Sequence, residues 1–226
     1  MADARQMKAA TAVCVQDEGP PDVLRDLFPH ECAAPIRYRR RSYVYHQGTA
    51  VAGIYCLIRG MVALERVDED GRMAMFGITR PGALLAWNDL VDAGSHRNSA
   101  QALTGCELVV VRGDRFRAAL RDDERLLTLL MQQTAAQASA YEEHILRLST
   151  LDVQDRLYST LCALAGSSVD DAGAVEVSTP LLKRDLAAMV GTSPETISRS
   201  LKRLEELEVA EFTDRSTFRL HPVKRR

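Results

Sequence analysis

The stretch "DLAAMVGTSPETISRSLKRLEE", residues 185–206, predicts two helices joined by a tight turn. Gly191 ends the first helix, because glycine tolerates the positive φ needed to leave a helix. Ser193 is a favourable N-cap for the second helix, and Pro194 suits its first position, where no backbone donor is lost. The stretch therefore predicts a helix–turn–helix.

Each of the two helices carries one apolar side. Its residues are Leu182, Leu186, Ala187 and Val190 in the first helix, and Ile197, Leu201, Leu204 and Leu207 in the second. At about 100° per residue, Glu195, Ser198 and Arg199 point away from this side, near the N-terminal end of the second helix. A helix that enters the major groove needs hydrogen-bonding side chains there. We therefore predict a DNA-recognition helix; the alternative is an ordinary surface helix with a solvated charged face.

Local charge favours DNA binding, although the chain as a whole is not basic. Between residues 183 and 203, five lysines or arginines oppose two acidic residues. The whole chain has a net charge of −2, and residues 149–226 contain eleven basic and twelve acidic side chains. Residues 208–220, "EVAEFTDRSTFRL", predict two strands around a "TDRS" turn, the ending of a winged helix. The DNA-binding prediction therefore depends on the arrangement of the helices and of their charged residues, and not on the net charge of the chain.

The N-terminal half reads as short strands separated by turns. Its β-branched and aromatic runs are "RSYVYHQG" (41–48), "GIYCLIRGMVALERV" (53–67), "RMAMFGITRPG" (72–82) and "NSAQALTGCELVVV" (98–111). "DEDG", residues 68–71, predicts a hairpin turn in which Gly71 adopts a positive φ. Many short strands at this spacing predict a jelly-roll or related β-barrel, and with the C-terminal helices an α+β protein.

A long helix is predicted between the barrel and the helix–turn–helix, from about residue 124 to 148. Its apolar and small residues alternate steps of four and three, as in a helix that pairs with another helix. This seam comprises Leu127, Met131, Thr134, Ala138, Tyr141, Ile145 and Leu148. We favour pairing with a second copy of the chain; the alternative is a helix that lies on its own barrel.

These predictions divide the chain into four segments. Residues 1–24 are expected to be a flexible N-terminus, 25–121 the barrel, 122–148 the dimerisation helix, and 149–226 the winged helix–turn–helix. No apolar run is long enough to span a membrane, and the N-terminus lacks the layout of a signal peptide. A cytoplasmic protein without a membrane partner is therefore expected.

Together, these features resemble the CRP/FNR superfamily of bacterial transcription regulators, over roughly residues 25–220. "ETISR", residues 195–199, resembles the recognition-helix signature of the FNR-type branch, and "YCLIRGMVAL" and "SAQALTGCELVVV" resemble the strand-and-glycine pattern of the barrel. The resemblance implies a cyclic-nucleotide-binding-like domain, a homodimer, and contact with RNA polymerase. It also implies that the protein activates transcription at its target promoters, in preference to repression, and that its DNA site is a TTGAT-like inverted repeat.

The resemblance assigns the base-reading role to Glu195, Ser198 and Arg199. The chemistry agrees, because arginine can donate twice to guanine and glutamate can accept from the amino group of cytosine. Phosphate contacts set the register on DNA without reading its sequence. The residues predicted to make them are Lys183, Ser193, Thr196 and Lys202.

The effector is not evident from the sequence. A cyclic-AMP site in this family uses a glutamate and an Arg-Ser pair, but Trp87 and His96-Arg97 stand at the matching positions. We therefore do not predict cyclic AMP. A small-ligand pocket near Trp87, Asn88, His96 and Arg97 is one hypothesis, in which Arg97 suits an anion. The alternatives are a ligand-independent regulator, and a sensor of the same family with a different half-site.

Metal and catalytic chemistry have little support in the sequence. Cys14 and Cys32 stand far apart, so the four-thiolate ligation of an iron–sulfur cluster is not predicted. Haem remains an open alternative without a motif behind it. The residues of suitable type are His30, His46, His96, His144, Cys56 and Cys106. No H-x-H pair, P-loop, G-x-S-x-G or Cys-His constellation occurs, so neither a metal site nor an enzyme is predicted.

Overall fold

The computed structural model describes residues 20–92, 94–165, 174–213 and 217–221. The described residues up to Ser139 belong to one compact unit, and those from Ala140 onward belong to a second. Most of the segment expected to be a flexible N-terminus, residues 1–19, lies outside the described residues. The α+β architecture of a barrel, a long helix and a C-terminal helix–turn–helix is confirmed.

The first unit begins with two short helices and continues as a β-barrel. The helices are α1 (Asp22–Leu27) and α2 (Pro29–Ala33). The strands are β1 (Ile36–Tyr38), β2 (Tyr43–Tyr45), β3 (Gly53–Arg59), β4 (Val62–Val67), β5 (Met73–Thr79), β6 (Leu84–Leu85), β7 (Ser99–Ala102) and β8 (Cys106–Arg112). Helix α3 (Trp87–Asp92) lies between β6 and β7, and α4 (Gly113–Asp122) follows β8.

The strands of this unit pair in two sheets, with the orders β1-β8-β3-β6 and β2-β7-β4-β5. The described pairings are antiparallel, as expected when short strands are joined by tight turns. The predicted "DEDG" hairpin joins β4 to β5, and Gly71 has a φ of 78°. The Asp68 carboxylate stabilises this turn by accepting hydrogen bonds from the backbone amides of Asp70 and Arg72.

A buried cluster in this unit joins one sheet to the helices around it. Ile54 and Cys56 of β3 and Phe116 of α4 belong to this cluster, and so does Leu24 of α1, which has no exposed surface. Residues 22–24 were expected to belong to the flexible N-terminus, but they are helical. The folded unit therefore begins before residue 25, because α1 supplies apolar side chains that the barrel buries.

The long helix α5 runs from Glu124 to Thr150, close to its predicted bounds. Its first turns pack on the barrel core through Leu126 and Leu130, which are almost completely buried. One turn later, the buried amide of Gln133 accepts a hydrogen bond from the Leu84 amide and donates one to the Gly82 carbonyl, each at 3.2 Å. These contacts attach α5 to the loop at β6 and leave another side of the helix uncovered.

The second unit contains the end of α5 and the C-terminal helices and strands. The helices are α6 (Val153–Ala165), α7 (Lys183–Val190) and α8 (Pro194–Glu206). The strands are β9 (Val175–Ser178), β10 (Ala210–Phe212) and β11 (Thr217–Leu220). They form a sheet with the order β10-β11-β9.

This sheet confirms the predicted winged ending but adds the unpredicted strand β9. Its four residues pair with β11, about 40 positions away, so its strand conformation depends on a distant partner. Residues 214–216 of the predicted "TDRS" turn lie outside the described residues. Within the described ranges, no helix combines the length and apolar content needed to cross a bilayer.

Candidate DNA-binding site

The helix–turn–helix is formed by α7, a short turn and α8. Gly191 ends α7 with φ 73° and ψ 52°, the left-handed conformation predicted for it. Ser193 caps α8, and its Oγ accepts a hydrogen bond from the Thr196 amide at 3.2 Å. Asp185 supports the start of α7, since its carboxylate accepts a hydrogen bond from the Leu182 amide at 2.8 Å. Asp185 is only 2% exposed, although its role was not predicted from the sequence.

The apolar sides of the two helices pack together, with two corrections to the predicted set. Ile197, Leu201 and Leu204 are buried as expected. Leu207 was expected to be buried but is 45% exposed, because α8 ends at Glu206 and Leu207 is its C-cap. Leu182 was also expected on the apolar side but is 40% exposed, because it precedes α7 as the N-cap.

The predicted base readers lie together on the first two turns of α8. Glu195 and Arg199 are exposed, and Ser198 is half-buried. The Ser198 hydroxyl donates a hydrogen bond to the Pro194 carbonyl at 3.0 Å, and Arg199 Nη2 donates one to Thr196 Oγ1 at 3.1 Å. The polar face opposite the buried stripe is therefore formed by the residues that were singled out in the sequence.

The N-terminus of α8 favours the charged form of Glu195. A hydrogen bond from its own backbone amide lowers the pKa of the Glu195 carboxyl, and the Ser193 hydroxyl and the charge of Arg199 lower it further. A carboxylate that stays ionised acts only as a hydrogen-bond acceptor. Among the predicted phosphate contacts, Lys183, Ser193 and Lys202 are exposed, and Thr196 is half-buried.

The residues of the hypothetical effector pocket lie around α3 in different environments. Trp87 packs partly buried against the barrel core, and Asn88 is exposed. Arg97 is also exposed and forms an ion pair with Asp92. His96 is 2% exposed, and its Nδ1 lies 3.6 Å from the Asp89 carboxylate. The structure thus brings His96 to Asp89, which was not predicted, and leaves Asn88 and Arg97 facing solvent.

The thiols of Cys56 and Cys106 in the barrel are buried. Cys56 has no exposed surface, and burial raises its pKa to about 12. Burial also raises the pKa of the Cys106 thiol. In the described part of the chain, no three histidine, cysteine or acidic side chains are grouped so that they could hold a metal ion.

The predicted seam of α5 is exposed along its length. All seven seam residues are exposed, and Met131 and Ile145 are 65% and 62% exposed. Leu126, Leu130 and Gln133, which pack on the barrel, form a different side of the helix. In the first unit, the seam residues Leu127 to Ala138 therefore lie off the side through which α5 packs on the barrel core.

Comparisons with known proteins match both units of the chain. A model described as "Cyclic nucleotide-binding domain" matches residues 35–123, and one described as "Crp-like helix-turn-helix domain" matches residues 155–224. The cAMP-activated global transcriptional regulator CRP of Salmonella typhimurium is 27% identical over 171 residues, which cover 75% of this chain and 81% of that protein.

Further similarity connects the chain to FixK proteins. The nitrogen fixation regulation protein FixK of Azorhizobium caulinodans is 28% identical over 174 residues, covering 76% of this chain and 69% of that protein. The solved structure of FixK2 from Bradyrhizobium japonicum superposes with a TM-score of 0.71 at 22% identity, covering 84% of this chain and 93% of the other. By its two matched domains the chain is similar to the CRP and FixK transcription regulators, and it shares the fold of FixK2.

Proposed function

We propose that the chain is a homodimeric activator that recognises a TTGAT-like inverted repeat in double-stranded DNA. The observation that carries this proposal is the polar face of α8. Glu195, Ser198 and Arg199 occupy the first two turns of a capped helix whose opposite side is buried against its own unit. Those turns are the part of a recognition helix that contacts base edges in the major groove.

The three base readers have complementary roles. Arg199 donates two hydrogen bonds to O6 and N7 of a guanine, and the ionised Glu195 accepts from the amino group of a cytosine. The smaller Ser198 contacts a neighbouring base or the space beside a thymine methyl group. Lys183, Ser193, Thr196 and Lys202 contact phosphates, which fixes the position of α8 on the duplex.

The seam of α5 supports the proposed homodimer. Seven apolar or small residues at heptad-like spacing remain exposed on one side of a helix of 27 residues. Pairing with the same seam of a second copy removes this surface from water. A two-fold dimer presents two copies of α8 to an inverted repeat, with half-sites about 34 Å apart.

The proposal does not include cyclic AMP as the effector. The CRP relatives are described as cAMP-activated, but here Trp87 and His96-Arg97 replace the acidic residue and the Arg-Ser pair expected for that ligand. The buried ring of His96 and the Arg97–Asp92 ion pair are consistent with this choice. RNA polymerase is the further partner proposed for an activator, and the cytoplasm is the proposed location.

The proposal is tested by binding of the purified protein to a labelled duplex that carries TTGAT and its inverted repeat. A scrambled duplex of equal length and composition is the control, and both are titrated over a salt series, because affinity for DNA depends strongly on salt. We expect at least about 1,000-fold tighter binding to the repeat than to the scrambled duplex. Equal affinity for both duplexes, with or without extracts of small cellular metabolites, would contradict the proposed half-site.

A further inference from the structure

The joint between α5 and α6 lies beside the end of the first helix of the helix–turn–helix. α5 ends at Thr150, and α6 begins at Val153. Leu151 and Asp152 connect the two helices, and the Asp152 carboxylate accepts a hydrogen bond from the Asp155 amide at 2.9 Å. The connection is only two residues long, so contacts beside it help to determine how the helix–turn–helix is held on α5.

Arg156, on the first turn of α6, contacts both sides of this joint. Its Nε donates a hydrogen bond to the Val190 carbonyl at 3.0 Å, and its Nη1 donates one to the Leu151 carbonyl at 2.9 Å. Val190 is the last residue of α7, and Leu151 directly follows α5. One guanidinium group therefore connects the ends of two helices.

The chemistry of these two carbonyls suits a cation. The last carbonyls of a helix lack an intrahelical partner and carry the negative end of the helix dipole. The planar guanidinium presents several donors at fixed angles, whereas a lysine ammonium is a compact charge on a flexible stem. An arginine can thus hold both carbonyls at once in a defined geometry.

Neighbouring contacts show that the end of α5 packs closely on this unit. Arg147 of α5 is 8% exposed, and its Nη1 donates a hydrogen bond to the Ser159 hydroxyl of α6 at 3.2 Å. A Cβ atom added at Gly191 would lie 3.3 Å from Leu148 Cδ2 of α5. The turn that leads into α8 is therefore in direct contact with the last turns of α5.

We propose that Arg156 is a positioning residue that sets the direction of α8 relative to α5, and thereby the half-site spacing that the dimer accepts. This inference rests on the proposed function, in which two chains pair through α5 and bind an inverted repeat. When α5 is the dimer axis, the angle between α5 and α8 determines the distance between the two recognition helices. A looser joint allows α8 to reach half-sites at other spacings.

The test compares Arg156→Met and Arg156→Lys with the wild type and with Tyr158→Phe. Tyr158 lies on the same helix, and its hydroxyl donates a hydrogen bond to the His221 carbonyl at 3.2 Å, so Tyr158→Phe also removes one bond to the backbone within this unit. Affinity is measured for the parent repeat, for repeats with one or two base pairs added to or removed from the spacer, and for an isolated half-site.

For Arg156→Met, we expect about tenfold weaker binding to the parent repeat, the loss expected for one hydrogen bond from a charged group. Arg156→Met should also prefer the parent repeat over repeats with altered spacers less strongly than the wild type does, while its affinity for an isolated half-site is retained. Arg156→Lys should recover part of this spacer preference, and Tyr158→Phe should show the full preference of the wild type. If Arg156→Met weakens every duplex by the same factor, Arg156 has no role in spacing and the proposal fails.

A second measurement does not depend on DNA. The amides of Gly191 and Thr192 donate hydrogen bonds to the Ala187 carbonyl at the end of α7. We expect Arg156→Met to accelerate hydrogen exchange of these amides relative to Tyr158→Phe; unchanged exchange would overturn the positioning role. If the wild type does not prefer the repeat over the scrambled duplex, the proposed function fails and the spacing role fails with it. The exchange rates then still decide whether Arg156 holds the joint.

Discussion

The imidazole of His96 lies nearly parallel to the ring of Tyr45, with ring centroids 3.9 Å apart and 11° between the planes. Its backbone contributes as well, because the His96 amide donates a hydrogen bond to the Thr49 carbonyl at 2.9 Å. His96 therefore connects the loop before β7 to β2 and to the loop that follows it. A residue considered for an effector pocket instead has an evident structural role in the barrel.

The buried position of His96 makes the stability of the first unit sensitive to acid. Burial lowers the pKa of His96, and the neighbouring Asp89 offsets this effect only in part. In the unfolded chain the imidazole binds a proton near its ordinary pKa of 6.5, above the native value. The contribution of the neutral His96 to the free energy of unfolding is therefore complete above pH 6.5. It is lost as the pH falls through the native pKa, by at most about 1.4 kcal/mol per pH unit.

This expectation is checked by urea unfolding between pH 8 and pH 5, followed by the fluorescence of Trp87. Trp87 is the one tryptophan of the sequence and belongs to the first unit, so it reports on that unit. His96→Phe keeps a ring that can stack on Tyr45 but cannot take up a proton, and it should flatten the pH dependence. If the free energy of unfolding of this variant depends on pH as steeply as that of the wild type, other groups cause the acid sensitivity.

Arg199→Ala should reduce both affinity and specificity for the proposed site. Loss of a bidentate contact to guanine should cost about 1–3 kcal/mol at the specific duplex and relax discrimination at one base pair. The measurement is a set of affinities for duplexes with single substitutions across one half-site. If the variant discriminates at every position as well as the wild type, Arg199 does not read a base.

Lys202→Ala should have a different effect, because a phosphate contact carries no sequence information. We expect weaker binding to specific and scrambled duplexes by a similar factor, and a salt dependence whose logarithmic slope is smaller by about 1. Lys202 is exposed on α8, so the substitution leaves the buried side of the helix intact. A loss confined to the specific duplex would move Lys202 from the phosphate contacts to the base readers.

Met131→Glu should weaken the proposed dimer, because it places a charge within the α5 seam, one turn after its first residue. Met131 is 65% exposed in the single chain, so the change should leave the thermal unfolding of the first unit almost unaffected. Burying an unpaired carboxylate in the interface should raise the dimer dissociation constant by at least about tenfold. Sedimentation velocity over a dilution series provides the measurement.

Gln132→Glu is the matched control for this prediction. Gln132 is adjacent to Met131 and exposed, but it lies outside the seam. The same charge at this position should leave the dimer intact. Equal dissociation by both variants, or by neither, would contradict the assignment of the seam.

The sequence by itself determined the features that depend on local chemistry. The turn at Gly191 and the cap at Ser193 follow from the φ that glycine tolerates and from the hydrogen bond that a serine side chain makes to its own helix. The bounds of α5 and the polar face of α8 follow from the helical period. Interactions within a few residues of the chain are sufficient for these predictions.

Only the tertiary structure decided which side chains meet across long stretches of chain. β9 is a strand because β11 pairs with it, and Arg156 holds the Val190 carbonyl, 34 residues away. Gln133 similarly contacts backbone groups about 50 residues earlier. Nothing in the local sequence distinguishes this arginine or glutamine from one that is solvated, because their roles depend on backbone groups that folding brings beside them.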